Sequence, residues 1–282
     1  MSRLVLLAAV AALAAPPAAA QLSVGAGGYS VGYAPGGAAD TTFAFDSDVY
    51  SVGFYGTSGL FHAFYGTDVK PGAAAGDSTE ATALGVDLAS EGGVTLARLG
   101  GDGFELKLSV PLQLALGYRY LREEPQLPDG QEPDEGDVRT LHLGTAALGA
   151  GGGAAVGVPF VGLPLARALR GSASFVLGAG VQADFDPVAL RDQIALPQPD
   201  APDDEPGGLD AYGLRTTALS VQVGLDGVLG SDLGVYVGYT RRTARTAATV
   251  VESATDLLDV VTGGGEYGDL ETLHLARVGL SF

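Results

Sequence analysis

Between Phe104 and Tyr120 the two parities of the chain differ in chemistry for seventeen residues, and nothing else in the sequence restricts the fold as tightly. The even positions read Phe104, Leu106, Leu108, Val110, Leu112, Leu114, Leu116, Tyr118 and Tyr120. The odd ones read Glu105, Lys107, Ser109, Pro111, Gln113, Ala115, Gly117 and Arg119. Successive side chains of a strand fall on opposite faces, so one face here is unbroken hydrocarbon and the other is polar or small. A helix would mix the two sets at every turn. Strands of soluble proteins usually run about five or six residues. A much longer apolar stripe with an aromatic ring at each end predicts a strand that crosses a bilayer, its rings at the two interfaces. In a soluble barrel or sandwich the stripe would need a partner surface to cover it.

The alternation recurs downstream. Phe175, Leu177, Ala179, Val181, Ala183 and Phe185 oppose Gly178, Gly180, Gln182 and Asp184. Leu219, Val221, Val223 and Leu225 oppose Ser220, Gln222, Gly224 and Asp226, and Leu233, Val235, Val237 and Tyr239 oppose Gly234, Tyr236, Gly238 and Thr240. Each apolar face is near the length that a tilted strand, about ten residues, needs to span a thin bilayer. Short Gly-rich connections at 56–59, 99–103 and 230–232 read as tight turns. Long ones fall near 34–42, 70–79, 122–137, 186–210 and 248–268. Five long loops imply ten strands, placed at 22–33, 43–56, 59–69, 80–97, 104–121, 138–149, 171–185, 211–228, 233–246 and 270–282. The stretch 150–170, with Gly151, Gly152 and Gly153 followed by two prolines, reads either as a turn carrying a short helix or as a further strand pair. The second option gives twelve strands, within an overall range of 8–12.

The expected domain layout is a signal peptide over 1–20 and a barrel over 21–282. Arg3 is followed by an apolar run to Ala15, about half of what a spanning helix needs, and by Ala18, Ala19 and Ala20, with cleavage expected after Ala20. No stretch after it is apolar and long enough for a transmembrane helix. The chain has no Cys, which excludes a lipid-anchored N-terminal Cys, disulfides and thiolate metal sites. Without the leader, 14 basic residues stand against 33 acidic ones, a balance that excludes nucleic acid as a partner because its phosphates would be repelled.

The chain closes on Leu273-His274-Leu275-Ala276-Arg277-Val278-Gly279-Leu280-Ser281-Phe282. With Ala276, Val278, Leu280 and the final Phe282 at alternate positions, this segment resembles the last strand of bacterial outer-membrane β-barrel proteins. The resemblance implies a Gram-negative cell envelope, a barrel-assembly machinery that reads these four residues, and contact with outer-membrane lipid. His274 stands where an aromatic is commoner in that class.

An all-β, up-and-down antiparallel barrel satisfies every backbone polar group in lipid by closing on itself. Glu105, Lys107, Arg119, Asp184, Asp226 and Arg277 fall on the parity opposite the apolar one and are expected to face the lumen. The inward face as a whole reads as small and polar, and at ten strands side chains should largely fill it. His62 and His142 are expected inside and His274 outside. None has the His-x-Ser arrangement of the barrel lipid A deacylases, since Phe64, Gly144 and Ala276 stand two residues on. Catalytic residues are therefore not assigned. Acidic loops around Asp134, Glu135, Asp203 and Asp204 offer oxygen ligands for Ca²⁺, but their prolines and their spacing, unlike an EF-hand, favour a solvated surface, so no metal or other cofactor is expected. The expected function is a monomeric, non-enzymatic barrel serving structure, surface interaction or narrow passage of small solutes. A twelve-strand transport channel with 150–170 as its constriction and an outer-membrane lipid hydrolase built from distant strands are the competing readings.

Overall fold

The computed structural model describes residues 20–33, 43–56, 59–70, 78–101, 103–127, 133, 137–160, 165–184, 210–250 and 267–282. Ten strands form one sheet: β1 Gln21–Tyr33, β2 Phe43–Gly56, β3 Gly59–Lys70, β4 Thr79–Gly101, β5 Phe104–Pro125, β6 Arg139–Pro159, β7 Ala168–Asp184, β8 Asp210–Asp226, β9 Gly234–Val250 and β10 Tyr267–Ser281. Each pairs antiparallel with its neighbours in sequence, and β1 pairs with β10, so the sheet closes. The seam runs in register from Gln21 opposite Ser281 to Gly32 opposite Leu270. Beyond it, the backbones of Ala20 and Phe282 exchange two hydrogen bonds. This is the architecture of an outer-membrane β-barrel. Ala20, Phe282 and the strand ends joined by the four short connections lie at one end, here the terminus end, and the strand ends joined by the five longer connections at the loop end.

Twelve strands are not formed. The run Gly151–Gly153 sits inside β6, which continues to Pro159, where it pairs with Ala168 at the start of β7. Three glycines in sequence look like a break, but Gly151 lets neighbouring backbones approach, since a Cβ there would collide with the Phe175 carbonyl, whereas one on Gly152 would meet nothing. A bulge between Thr95 and Ala97 of β4 shifts its register against β5 and puts Arg98 opposite Lys107.

The faces separate by exposure. Leu112, Leu114, Leu116, Leu148, Val237 and Val278 are exposed, and with the other outward side chains they make an apolar band around the barrel. Exposed hydrocarbon on this scale suits lipid and not water. Tyr50, Tyr65 and Tyr239 end the outward apolar run of their strands toward the loop end.

Candidate functional site

The lumen has three levels. In the loop half, Tyr29, Val31, Tyr33, Phe43, Phe45, Val49, Phe64, Leu121, Leu141, Leu143, Leu273 and Leu275 form a buried apolar cluster inside the ring. The expectation of a uniformly small and polar inner face is thus corrected: above Arg119 the inward parity turns to large hydrocarbon, because a narrow barrel has no room for water there and is filled by side chains. The Tyr29 ring packs tilted against that of Phe64, their centroids 4.7 Å apart. The Phe64 ring in turn occupies the space a side chain on Gly85 would need.

At mid-height lies a layer of charge. Arg119 on β5 is fully buried. Its Nε donates to Glu271 Oε1 on β10 at 2.8 Å, and its Nη2 lies 3.0 Å from Asp87 Oδ1 on β4. From β9, Arg242 Nη1 donates to the same Asp87 oxygen at 2.5 Å. In the ring order β5 and β10 stand five strands apart in either direction, and so do β4 and β9. Two ion pairs therefore cross the lumen between opposite walls. Two guanidinium groups face two carboxylates, so the layer neutralises itself, and the Phe64 ring, 5.2 Å from the Arg119 guanidinium, packs against it from the apolar side. Glycine makes space here too: a Cβ on Gly117 would come within 2.9 Å of Asp87 Oδ1.

Below this layer the lumen opens toward the terminus end as a vestibule of two joined cavities, about 750 and 320 Å³, which share Gln21, Ser172, Gln222 and Tyr236. Its walls are rich in hydroxyls and amides. Arg277 Nη2 donates to Thr240 Oγ1 at 2.6 Å, and Gln222 Nε2 to Gln21 Oε1 at 3.4 Å.

The six charges expected in the lumen do not form one site. Arg119 alone stands in the crossing layer. Arg277 lines the inner vestibule; Lys107, Glu105 and Asp226 line its mouth, where Glu105 lies 3.7 Å from Arg98 and Asp226 pairs with Arg170. Asp184 is half-buried at the loop end of β7. Ala276, Val278, Leu280 and Phe282 are all exposed on the outward face of β10. Asp134, Glu135, Asp203 and Asp204 lie outside the described residues. The sequence reading missed Asp87, Arg242 and Glu271. Each shares the inward parity of its strand, which was a usable signal, but which charges meet is set by the stagger of the ring.

His142 is corrected from inside to outside. Leu141 and Leu143 are the buried pair on β6, and His142 points outward, its Nδ1 2.7 Å from the Tyr118 hydroxyl and its ring 5.2 Å from that of Tyr120. The leucine pair reads as an outward apolar face, and it is instead part of the internal cluster. His62 is buried inside. Ser23, Gly53, His62 and Asp87 occupy one register row over four adjacent strands. The order of residue types suits nucleophilic catalysis, but the geometry does not. His62 Nδ1 is 3.9 Å from Asp87 Oδ2, Asp87 is held by two arginines, Ser23 Oγ donates to the Gly53 carbonyl, and the buried His62 Nε2 has no hydrogen-bond partner among the described residues. A working serine needs an imidazole accepting from its hydroxyl and oriented by a free carboxylate.

No protein-family model matches the chain, and no curated protein matches it. Among solved structures it is similar to the outer membrane protease OmpT from Escherichia coli, with 12% identity, 94% of this chain and 97% of that chain covered, and a TM-score of 0.33. It is also similar to a FadL homologue from Pseudomonas aeruginosa, with 12% identity, 93% and 89% covered, and a TM-score of 0.20. At these values the closed ring of ten strands, and not either likeness, carries the architecture.

Proposed function

We propose that this chain is a non-enzymatic barrel of the outer membrane with a sealed lumen, acting through its outer surface and loops in envelope structure or surface interaction. The two ion pairs that cross between opposite walls carry this reading. Solute passing between the two ends would have to displace Arg119 and Arg242 from their carboxylates and then part the apolar cluster above them. Breaking paired buried charges is costly, and hydrocarbon in a narrow lumen resists wetting. With short turns facing the periplasm, the polar vestibule opens to that side and ends blind.

Reconstitution into planar bilayers tests the reading. The intact barrel, identified by its heat-modifiable gel mobility, should give no steady ion conductance across the membrane. Stable open-channel current from the unaltered protein would overturn the sealed lumen and favour narrow solute passage.

A further inference from the structure

A cluster of positive charge lies on the outer wall, where the apolar band ends. On β8 the outward side chains run Leu225, Val223, Val221, Leu219 and then Thr217 and Arg215. On β9 they run Val235, Val237, Tyr239 and then Arg241, Thr243 and Arg245. On β10 they run Leu280, Val278, Ala276 and then His274 and Thr272. The register brings these ends together. Arg215 stands directly opposite Arg245, Arg241 opposite His274, and Thr243 opposite both Thr217 and Thr272. Thr217 and Thr243 share a hydrogen bond at 2.5 Å. The patch is a row holding Arg215 and Arg245 and a row holding Arg241 and His274, separated by a row of hydroxyls, with Arg241 and Arg245 roughly 13 Å apart along their strand.

Like charges directly opposite in a sheet repel, and this chain has more than twice as many acidic as basic residues. Seven other arginines, Arg98, Arg119, Arg122, Arg139, Arg167, Arg170 and Arg242, each lie against a carboxylate. Arg241 and Arg245 are exposed and have no ion pair among the described residues. The described residues supply neither of them with a counter-charge. The outer wall immediately below them is the apolar band, so whatever supplies it lies beside hydrocarbon at the level of the lipid headgroups.

We infer that Arg241 and Arg245, with Thr243 between them and His274 beside Arg241, bind the phosphate groups of an anionic lipid in the leaflet at the loop end. Guanidinium forks match phosphate oxygens in pairs, a threonine hydroxyl adds a donor, and the acyl chains lie along Tyr239, Leu219 and Val237 below. The inference holds whatever the lumen does; it rests only on this wall facing lipid.

Native mass spectrometry of the detergent-solubilised full chain, released from micelles doped with lipid A, with its dephosphorylated counterpart, or with inorganic phosphate, tests it. Retention of lipid A should exceed that of the dephosphorylated lipid, and the Arg241→Gln/Arg245→Gln variant should lose about tenfold in retention, one lost charge-assisted contact being enough for that. Heat-modifiable mobility of that variant shows that it is folded, and Arg122→Gln, at an arginine paired with Glu124 on another part of the wall, should retain lipid A as the unaltered protein does. Equal retention of the two lipids, unchanged retention in the folded double variant, or loss of retention in the presence of inorganic phosphate alone would overturn lipid-phosphate binding at this patch, the last by pointing to a free anion.

Discussion

Arg119 of β5 and Glu271 of β10 meet at 2.8 Å although their strands are five apart around the ring in both directions. The bond is a strut across the lumen. Replacing Arg119 with Leu leaves Glu271 and Asp87 buried without their shared cation, and breaking a buried pair in this way costs ~3–5 kcal/mol. Urea unfolding in lipid vesicles should show a loss of that size for Arg119→Leu. The Arg119→Leu/Glu271→Gln double variant should lose less than the two single variants together, by ~1–3 kcal/mol of coupling. Additive losses would mean that the strut is not a working contact.

The glycine beside Phe64 gives a second test. Phe64 is held between Tyr29 and the Arg119 guanidinium, and its ring fills the place of a Gly85 side chain. Gly85→Ala should therefore overpack the centre of the apolar cluster and destabilise by ~1–3 kcal/mol. At Gly92 a Cβ would meet nothing, and Gly92→Ala should be close to neutral in the same unfolding assay.

How far the sequence could be read follows from which faces alternate cleanly. β2 falls on 43–56 and β5 begins at Phe104 as expected, because each starts at an aromatic in a strict period of two. β6 was expected to end at 149 and runs ten residues further, since Gly151–Gly153 carries no side-chain pattern. In the loop half both parities are apolar, so Leu121, Leu141 and Leu143 cannot be told from lipid-facing residues by period alone. Asp87 sits among Ala81, Ala83, Gly85 and Ala89 on one inward face, which marks it as a lumen charge. Its distant partner Arg242 is fixed by the shear of the closed ring, a property of the whole sheet that no local window contains.

The register row holding Ser23, His62 and Asp87 separates a structural from a catalytic reading. If the row only fills space, replacing His62 with Phe removes a buried nitrogen that has no partner among the described residues and costs at most ~1 kcal/mol. Its stability loss should then fall well below that of Arg119→Leu. Short-chain ester hydrolysis by the purified barrel should be at background and unchanged in Ser23→Ala. Turnover lost in both Ser23→Ala and His62→Phe would make the row an active site and remove the non-enzymatic reading.

Phe282 separates the assembly of the barrel from its stability. Its side chain lies exposed at the end of the outward series Ala276, Val278 and Leu280, while its backbone exchanges two hydrogen bonds with Ala20. Within this series Leu280 stands opposite Leu22 and Val278 opposite Val24 across the seam, so those two residues contribute contacts to the finished wall. The ring of Phe282 lies beyond Ser281, the last residue paired in the strand register. A machinery that reads the alternating end of β10 would depend on that ring, whereas the folded barrel would not. Phe282→Ala should therefore change the unfolding free energy of the refolded protein in urea by less than ~0.5 kcal/mol, the usual range for an exposed site, while lowering the heat-modifiable fraction recovered from cell envelopes several-fold. Equal recovery of the variant and the unaltered protein would assign Phe282 no part in assembly. A matching loss in both assays would make its contribution a matter of stability at the seam.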